Sequence, residues 1–429
     1  MFKFDFDVDD GDPNIPDFAN AQPPTKLRKD EPHAEGVLPS EQNAPVVDHL
    51  LDELLDALPP AISFSPINIP VGKNDTVILA RRDLFDARFQ LISLEEPELE
   101  HLPKSSSQKE SKGRQDLEFL DAPSDLVPGV YEGGLKTWEC ALDLAGCLDD
   151  LLGDDAAKQL RGKRVLELGC GTAIPCLYVL HRLFSVEPTS EQTETLVHMQ
   201  DYNSLVLRLV TLPNVILAWC EYMSPASLAF RTSAVTEAVN DLDDAFPPAD
   251  PSSLGMLPIT PALIAAFRGS LHAYRVRLRF SSGSWEALAD HAKGDAELAY
   301  DITLTSETVY RPESLPALVR TLKGACLGWG VRGRSEGGLV KAVLDKLHDD
   351  LGEQDGKEGT ARQDLPPLCL VAAKRVYFGV GGGVAEFIRA VESSSVTEGE
   401  DGCKTKGKVD TIWEQVEGVK RVVMRVTWA

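Results

Sequence analysis

Arg164-Val165-Leu166-Glu167-Leu168-Gly169-Cys170-Gly171-Thr172-Ala173 is the stretch that decides the fold class of this chain. Its first five residues form a short apolar run typical of a buried strand. The two glycines that follow permit a tight turn and a close approach of a ligand to the backbone. Pro175 then suits the first turn of a helix, because its φ is already close to the helical value. The stretch therefore predicts a strand, a glycine loop and a helix in succession.

The same alternation of strand and helix continues along the chain from about residue 116. Strands are predicted at residues 195–199, 275–280, 300–305, 368–373 and 419–428, and helices from residues 175 and 203 and at 315–323 and 384–391. Helices that alternate with apolar strands favour an α/β fold with a mainly parallel, doubly wound sheet.

Residues 1–115 and 116–429 are predicted to be two regions of different character. The first holds 22 acidic and 12 basic residues and many prolines, which is typical of low order. Within the second, about 222–271 and 331–366 are predicted to be insertions, because they are rich in proline, glycine and polar residues. A short amphipathic helix is expected at 49–58.

Two short patterns near the N-terminus have alternative interpretations. Phe2, Phe4 and Phe6 alternate with charged residues, as in a strand that adds to a sheet edge or a disordered tail with exposed aromatic rings. Lys26-Leu27-Arg28-Lys29 is either a weak nuclear-import signal or ordinary solvated charge.

Composition excludes several classes of protein. The chain has 429 residues and a formal net charge of −24, which argues against a general nucleic-acid binder, because phosphate backbones are bound by basic surfaces. Neither a run of about 18 apolar residues nor a secretory signal is recognisable, so the sequence predicts a soluble intracellular protein. No metal site is expected, because Cys-x-x-Cys and His-x-x-x-His spacings do not occur.

The glycine loop indicates which cofactor is bound. A dinucleotide fingerprint, Gly-x-Gly-x-x-Gly, fails at Ile174, whereas Glu167 two residues before Gly169 suits S-adenosylmethionine. Asp201 ends the second strand, where a carboxylate can accept both ribose hydroxyls, although it could equally stabilise the start of the next helix. Residues 379–383 form a second glycine cluster, which lacks the lysine of a phosphate loop and is interpreted as a substrate-facing loop.

Several blocks resemble the histidine protein methyltransferases, a branch of the seven-strand methyltransferases that use S-adenosylmethionine. The most specific are Pro128-Gly129-Val130-Tyr131-Glu132-Gly133-Gly134-Leu135-Lys136-Thr137-Trp138-Glu139 and Tyr377-Phe378-Gly379-Val380-Gly381-Gly382-Gly383. Gln200-Asp201-Tyr202-Asn203 and Thr305-Ser306-Glu307-Thr308-Val309-Tyr310 also match, in the family's order. Ala173 departs from the family, because many relatives have a third glycine there; this costs little if φ is negative.

The resemblance implies a Rossmann-like class I fold with an antiparallel C-terminal strand. It implies methylation of a histidine, at its tele nitrogen, in a protein of the large ribosomal subunit. With the glycine loop, it also implies a set of residues for S-adenosylmethionine: Thr137, Trp138, Glu139, Cys140, Ala141, Glu167, Gly169, Gly171, Gln200, Asp201, Tyr202, Gly283, Ser284, Trp285 and Ser306.

The chemistry of the reaction predicts a carboxylate in the site. Neutral imidazole already has a lone pair near pH 7, so the enzyme needs to fix its tautomer by accepting a hydrogen bond from the other ring nitrogen. Glu307, Glu132 and Glu139 are the candidates, with Glu307 first because it follows a predicted strand; alternatively, Glu307 caps a loop or pairs with Arg311.

Two other functions stay open from sequence. One is a protein-lysine methyltransferase of a sister branch, and the other is a catalytically silent protein that binds a ribosomal protein. The expected partner in either ribosomal interpretation is a basic ribosomal protein, with no sequence-specific nucleic acid and no membrane, and a monomer in cytoplasm and nucleus. The acidity of the chain suits such a partner electrostatically.

Overall fold

The computed structural model describes residues 44–72, 75–99, 134–189, 193–220, 250–293, 299–329, 367–377, 382–394, 396–397 and 404–428. The strands in these ranges are β1 Val47–His49, β2 Ala61–Val71, β3 Asp75–Arg82, β4 Arg164–Leu168, β5 Thr195–Asp201, β6 Gly255–Pro258, β7 Val276–Ser282, β8 Ile302–Ser306, β9 Leu368–Lys374, β10 Val396–Thr397, β11 Lys404–Thr405, β12 Gly407–Gln415 and β13 Arg421–Trp428.

The helices surround these strands in chain order. They are α1 Leu51–Asp56, α2 Leu84–Leu99, α3 Glu139–Leu152, α4 Ala156–Leu160, α5 Ile174–Phe184, α6 Ser204–Val206, α7 Leu212–Trp219, α8 Pro261–Ala273, α9 Trp285–His291, α10 Leu315–Leu327 and α11 Val384–Ser393. A π-helical stretch, Leu207–Thr211, joins α6 to α7.

The main sheet has the strand order β1-β7-β5-β4-β8-β9-β13-β12. Strands β7, β5, β4, β8 and β9 run parallel, while β13 is antiparallel to β9 and β12. From β4 the chain first builds outward through β5 and β7 and then crosses to β8 on the other side. The carboxyl ends of β4, β5 and β8 therefore meet at the point where the strand order reverses, which is where ligands bind in open α/β sheets.

These observations confirm the predicted fold. The α/β class, the mainly parallel doubly wound sheet and the antiparallel C-terminal strand are all present, and each predicted strand and helix of the core occurs. The predicted short helix at 49–58 is α1.

A small second sheet, in the order β3-β2-β6, was not predicted. The expectation of a largely irregular region up to residue 115 does not hold for residues 44–99, which form β1–β3, α1 and α2. The prolines of β2 suggested a chain without regular structure. Pro66 and Pro70, however, lie beyond the Ala61–Phe64 segment that pairs with β6, so their missing N–H groups interrupt no pairing on that side.

The first predicted insertion is shorter than expected. Residues 255–273 contain β6, which pairs with β2, and α8, whose Leu263 and Phe267 are fully buried. The sequence favoured an insertion because this helix begins at Pro261 directly after a proline-rich and serine-rich segment; proline is compatible with a first helical turn. The rest of that insertion, the second insertion, the Phe2–Phe6 pattern and residues 26–29 lie outside the described residues.

The core lies on both faces of the main sheet. One face packs against α3, α5, α7 and the second sheet, and the other against α9, α10 and α11. Within the described residues, no helix is both long and apolar enough to cross a membrane.

Candidate active site

Gly169 and Gly171 give the loop after β4 its shape. Both adopt positive φ, +61° and +52°. A Cβ on Gly169 would lie 2.7 Å from Thr308 Cγ2, and one on Gly171 would lie 3.3 Å from the carbonyl oxygen of Gly134. The loop therefore requires glycine at both positions, for conformation and for space.

Ala173 also has a positive φ, +59°, so the condition for a cheap replacement of glycine is not met. A left-handed alanine costs about 1 kcal/mol. The loop tolerates this cost because Ala173 is completely buried and its N–H donates to the carbonyl of Cys170 at 2.6 Å, while Leu177 N–H donates to the carbonyl of Ala173.

Side chains from two other segments hold the loop in place. Thr211 Oγ1 donates to the carbonyl of Gly171 at 2.7 Å, and Asn214 Nδ2 donates to the carbonyl of Thr172 at 3.0 Å. Thr137 Oγ1 donates to Thr172 Oγ1 at 2.9 Å. The last of these bonds brings the predicted cofactor segment 137–141 to the glycine loop.

Asp201 ends β5 beside the loop, as predicted. Its Oδ2 accepts from Gly171 N–H at 2.9 Å, and its Oδ1 accepts from Asn203 N–H at 3.1 Å. Burial raises the pKa of this carboxyl, and the backbone N–H groups oppose that rise. Each carboxylate oxygen has a second lone pair, so Asp201 organises the loop and retains acceptor capacity for hydroxyl groups.

Gln200 and Trp285 are joined at the same edge. Gln200 Oε1 accepts from Trp285 Nε1 at 3.0 Å, and Gln200 Nε2 donates to the carbonyls of Asp201 and Gly283. A Cβ on Gly169 would lie 3.6 Å from the Trp285 ring. The amide of Gln200 is thus fully used in placing Trp285 next to the glycine loop.

Glu167 lies beneath the loop and is fully buried. Its Oε2 accepts from Cys176 N–H in the first turn of α5 at 2.9 Å, while its Oε1 is buried without a hydrogen-bond partner. Burial is the main cause that raises the pKa of Glu167 to about 8, and the negative charge of Asp201 adds to it. An unpartnered buried carboxylate oxygen is a common sign of a ligand site.

Glu307 follows β8 in a left-handed conformation, with φ +57°, which is uncommon for a residue other than glycine. Its Oε2 accepts from the Tyr377 hydroxyl at 2.6 Å. Its Oε1 is buried without a hydrogen bond, and the Lys374 ammonium lies 3.6 Å away. Register places these groups together, because β8 and β9 are parallel and Ser306 pairs with Ala372.

Lys374 links two carboxylates at the end of β9. Its Nζ lies 3.2 Å from Glu139 Oε2 and 4.8 Å from the centre of the Trp138 ring. Burial lowers the pKa of Lys374, but Glu307 and Glu139 outweigh that effect and raise it. Burial raises the pKa of Glu139, but its own backbone N–H and Lys374 outweigh that and lower it.

The remaining predicted residues fall into three groups. Cys140 and Ala141 are buried in the first turn of α3, and Ser284 is the N-cap of α9. Tyr202 is exposed, and Ser306 ends β8 directly before Glu307. Glu132 lies outside the described residues, as do most of the glycines of the second cluster.

The sequence argument missed Lys374 and Tyr377 as partners of Glu307. Both belong to the block from Ala373 to Gly383 that carries the family resemblance, which was the available signal. Gly382, at the end of this block, packs against the backbone after Glu307: a Cβ there would lie 2.2 Å from the carbonyl oxygen of Tyr310. The second glycine cluster and the segment after β8 therefore adjoin.

The donor set fits S-adenosylmethionine. Its amino-acid part carries an ammonium group that suits the unpartnered oxygen of Glu167, its ribose suits Asp201, and Trp285 offers a ring beside the loop. Among the described residues, no cluster of histidine, cysteine and acidic residues could hold a metal ion. Fold and site together define a class I methyltransferase that uses S-adenosylmethionine.

Known proteins narrow this class. The chain is 27% identical to Histidine protein methyltransferase 1 of Saccharomyces cerevisiae over 343 residues, which cover 79% of this chain and 73% of the yeast protein. It is 29% identical to the protein of that name from Schizosaccharomyces pombe, over 79% of this chain and 74% of that protein. The Bos taurus homolog is 29% identical over 71% of this chain and 58% of its own length. The resemblance to the histidine protein methyltransferases is confirmed.

Other comparisons add little. No protein-family profile matches the chain. Among solved structures, the rRNA methyltransferase aviRa from Streptomyces viridochromogenes matches with a TM-score of 0.25 and 14% identity, over 70% of this chain and 91% of that one. The N-terminal domain of EvdMO1 with SAH bound matches with a TM-score of 0.28 and 12% identity, over 76% and 98% of the two chains. The fold assignment rests on strand order and not on these scores.

Proposed function

We propose that this protein is a protein-histidine N-methyltransferase that modifies the tele nitrogen of a histidine in a large-subunit ribosomal protein. The observation that carries the proposal is Glu307 Oε1, a buried carboxylate oxygen without a hydrogen bond at the carboxyl end of β8. The cost of leaving such an oxygen unpaired is about 1–3 kcal/mol, so a substrate donor is its natural partner.

Glu307 would act on the substrate imidazole. Its Oε1 accepts a hydrogen bond from the pros nitrogen of the ring, which leaves the lone pair of the tele nitrogen free to attack. When bound, S-adenosylmethionine supplies the electrophilic methyl group. The new N–C bond forms as the S–C bond breaks, and the bonding electrons leave with the sulfur. The carboxylate of Glu307 also offsets the positive charge that develops on the ring.

The neighbours of Glu307 fix its orientation. The Tyr377 hydroxyl holds Oε2, so the free oxygen cannot rotate away without breaking a 2.6 Å hydrogen bond. The left-handed backbone at Glu307 is held by its N–H, which donates to the carbonyl of Ala372 at 2.9 Å. Such preorganisation is what distinguishes a functional carboxylate from one that merely caps a loop.

The substrate class rests on the resemblance and on charge. The relatives from both yeasts carry histidine protein methylation in their names. A chain of net charge −24 attracts a basic ribosomal protein at long range. We place the enzyme, as a monomer, in the cytoplasm and nucleus, where ribosomal proteins are made and assembled. This encounter predicts that the methylation rate falls as salt rises, and that removal of the acidic residues 1–40 weakens the salt dependence.

The test uses the purified full-length protein with labelled S-adenosylmethionine and ribosomal proteins from cells that lack the enzyme. Acid hydrolysis and amino-acid analysis are expected to give tele-methylhistidine in a large-subunit protein. Label in methyl-lysine would favour the sister-branch function. Absence of both label and cofactor binding would favour the silent binding protein.

A further inference from the structure

Three charged side chains converge at the ends of β8, β9 and the start of α3. Lys374 Nζ lies 3.2 Å from Glu139 Oε2 and 3.6 Å from Glu307 Oε1, and it sits over the Trp138 ring. The Lys374 side chain is 18% exposed and that of Glu307 is 7% exposed. One ammonium therefore compensates two carboxylates, in a place largely screened from water.

The other titratable groups around Lys374 do not change this balance. Cys140 and Tyr377 both face Glu307, and burial followed by the charge of Glu307 raises the pKa of each, so both stay neutral. Asp143 pairs with Arg421 from β13, so these two charges cancel. The cluster thus carries a net charge of about −1 before substrate and cofactor bind.

We propose that Lys374 determines which side chain the site accepts, by selecting a neutral imidazole over a cationic lysine. It also acts as a positioning residue for Glu307. This inference rests on the proposed function. A carboxylate pair without its lysine would attract the ammonium group of a lysine, or would bind histidine as imidazolium. Imidazolium has no lone pair, so it cannot accept a methyl group.

Loss of the Lys374 charge therefore has two measurable consequences. The target histidine would hold its proton more tightly in the complex, so methylation would require a higher pH. An opposite or like charge within about 4–6 Å moves a pKa by one unit or more, so the acidic limb of the pH–rate profile is expected to rise by about one pH unit. The preference for histidine over lysine is expected to fall at the same time.

The experiment compares full-length wild-type protein with Lys374→Met and Lys374→Arg. Arg375→Met is the matched control, since it removes a positive charge from the next residue, whose partner is the partly exposed Glu414. Each protein is given labelled S-adenosylmethionine and ribosomal proteins from cells that lack the enzyme, between pH 6 and 9. Hydrolysates are analysed for tele-methylhistidine and methyl-lysine, and calorimetry with S-adenosylmethionine checks that each variant folds.

Lys374→Met is expected to shift the acidic limb upward and to lower the ratio of methylhistidine to methyl-lysine at least tenfold. Lys374→Arg and Arg375→Met are expected to keep the wild-type ratio and limb. An unchanged limb and ratio in Lys374→Met, with wild-type cofactor affinity, overturns the inference. If Lys374→Met fails to bind cofactor, the same comparison is made with Lys374→Gln. A wild-type enzyme that never yields methylhistidine would refute the proposed function instead, so the two failures are distinguishable.

Discussion

Glu167→Gln tests whether the buried carboxyl beneath the glycine loop is protonated in the protein without cofactor. The pKa of Glu167 is raised to about 8, against an ordinary value near 4.5, because the group is completely buried. A folded-state pKa above the unfolded one means that the native state binds the extra proton. The associated stability is full below pH 4.5 and is lost as pH rises through about 8.

The magnitude follows from proton linkage. Between pH 6 and pH 8 the wild-type protein is expected to lose about 2 kcal/mol of unfolding free energy through this one group. Glutamine does not titrate and can still accept the N–H of Cys176, so the variant lacks this loss. Any constant cost of its amide group cancels when the two pH values are compared.

The assay is urea unfolding of both proteins, without cofactor, at several pH values from 6 to 8. The free energy of the variant relative to that of wild type is expected to rise by about 2 kcal/mol across the range. Parallel curves, with a difference that does not change with pH, would show that Glu167 is ionised throughout and would refute the reasoning.

Three further predictions concern the site and the core. Glu307→Gln is expected to reduce turnover about 100-fold, by loss of the tautomer-fixing charge, while the S-adenosylmethionine Kd from calorimetry changes less than about twofold. Gly169→Ala is expected to destabilise the protein by at least about 2 kcal/mol in urea unfolding, because it forces alanine to φ +61° and against Thr308. His198, which is fully buried and has its pKa lowered by burial, is expected to stay neutral, so its ring NMR signals do not move between pH 7.5 and 5.5.

Each of these predictions has its own control. Glu313→Gln, an exposed carboxyl shortly after Glu307, is expected to keep wild-type turnover, and equal rates for both variants would remove Glu307 from the mechanism. Gly269→Ala in α8 meets nothing within 4 Å and is expected to stabilise by about 0.5–1 kcal/mol; a similar gain at Gly169 would contradict the steric argument. A titrating His198 signal would mean that the bonds to Tyr300 and Ser281 open readily.

Local sequence patterns were sufficient for the central sheet and the cofactor loop. The strands β4, β5, β7, β8 and β9 are short apolar runs, and the positive φ of Gly169 and Gly171 is a need that the glycines themselves announce. Asp201 was found because its place at the end of β5 depends only on where that strand ends. The second sheet was missed, because Pro66 and Pro70 look like strand breakers unless the short partner β6 is known.

The sequence by itself determined that this protein is an α/β methyltransferase with an S-adenosylmethionine loop, because period, turn chemistry and motif spacing act over short distances along the chain. Only the tertiary structure decided the polar centre of the site. Glu307 and Tyr377 are 70 residues apart and meet at 2.6 Å, and Lys374 reaches Glu139 across a still longer separation. These contacts exist because parallel register aligns the ends of β8 and β9 beside α3, and register is set by packing of the whole sheet rather than by any one segment.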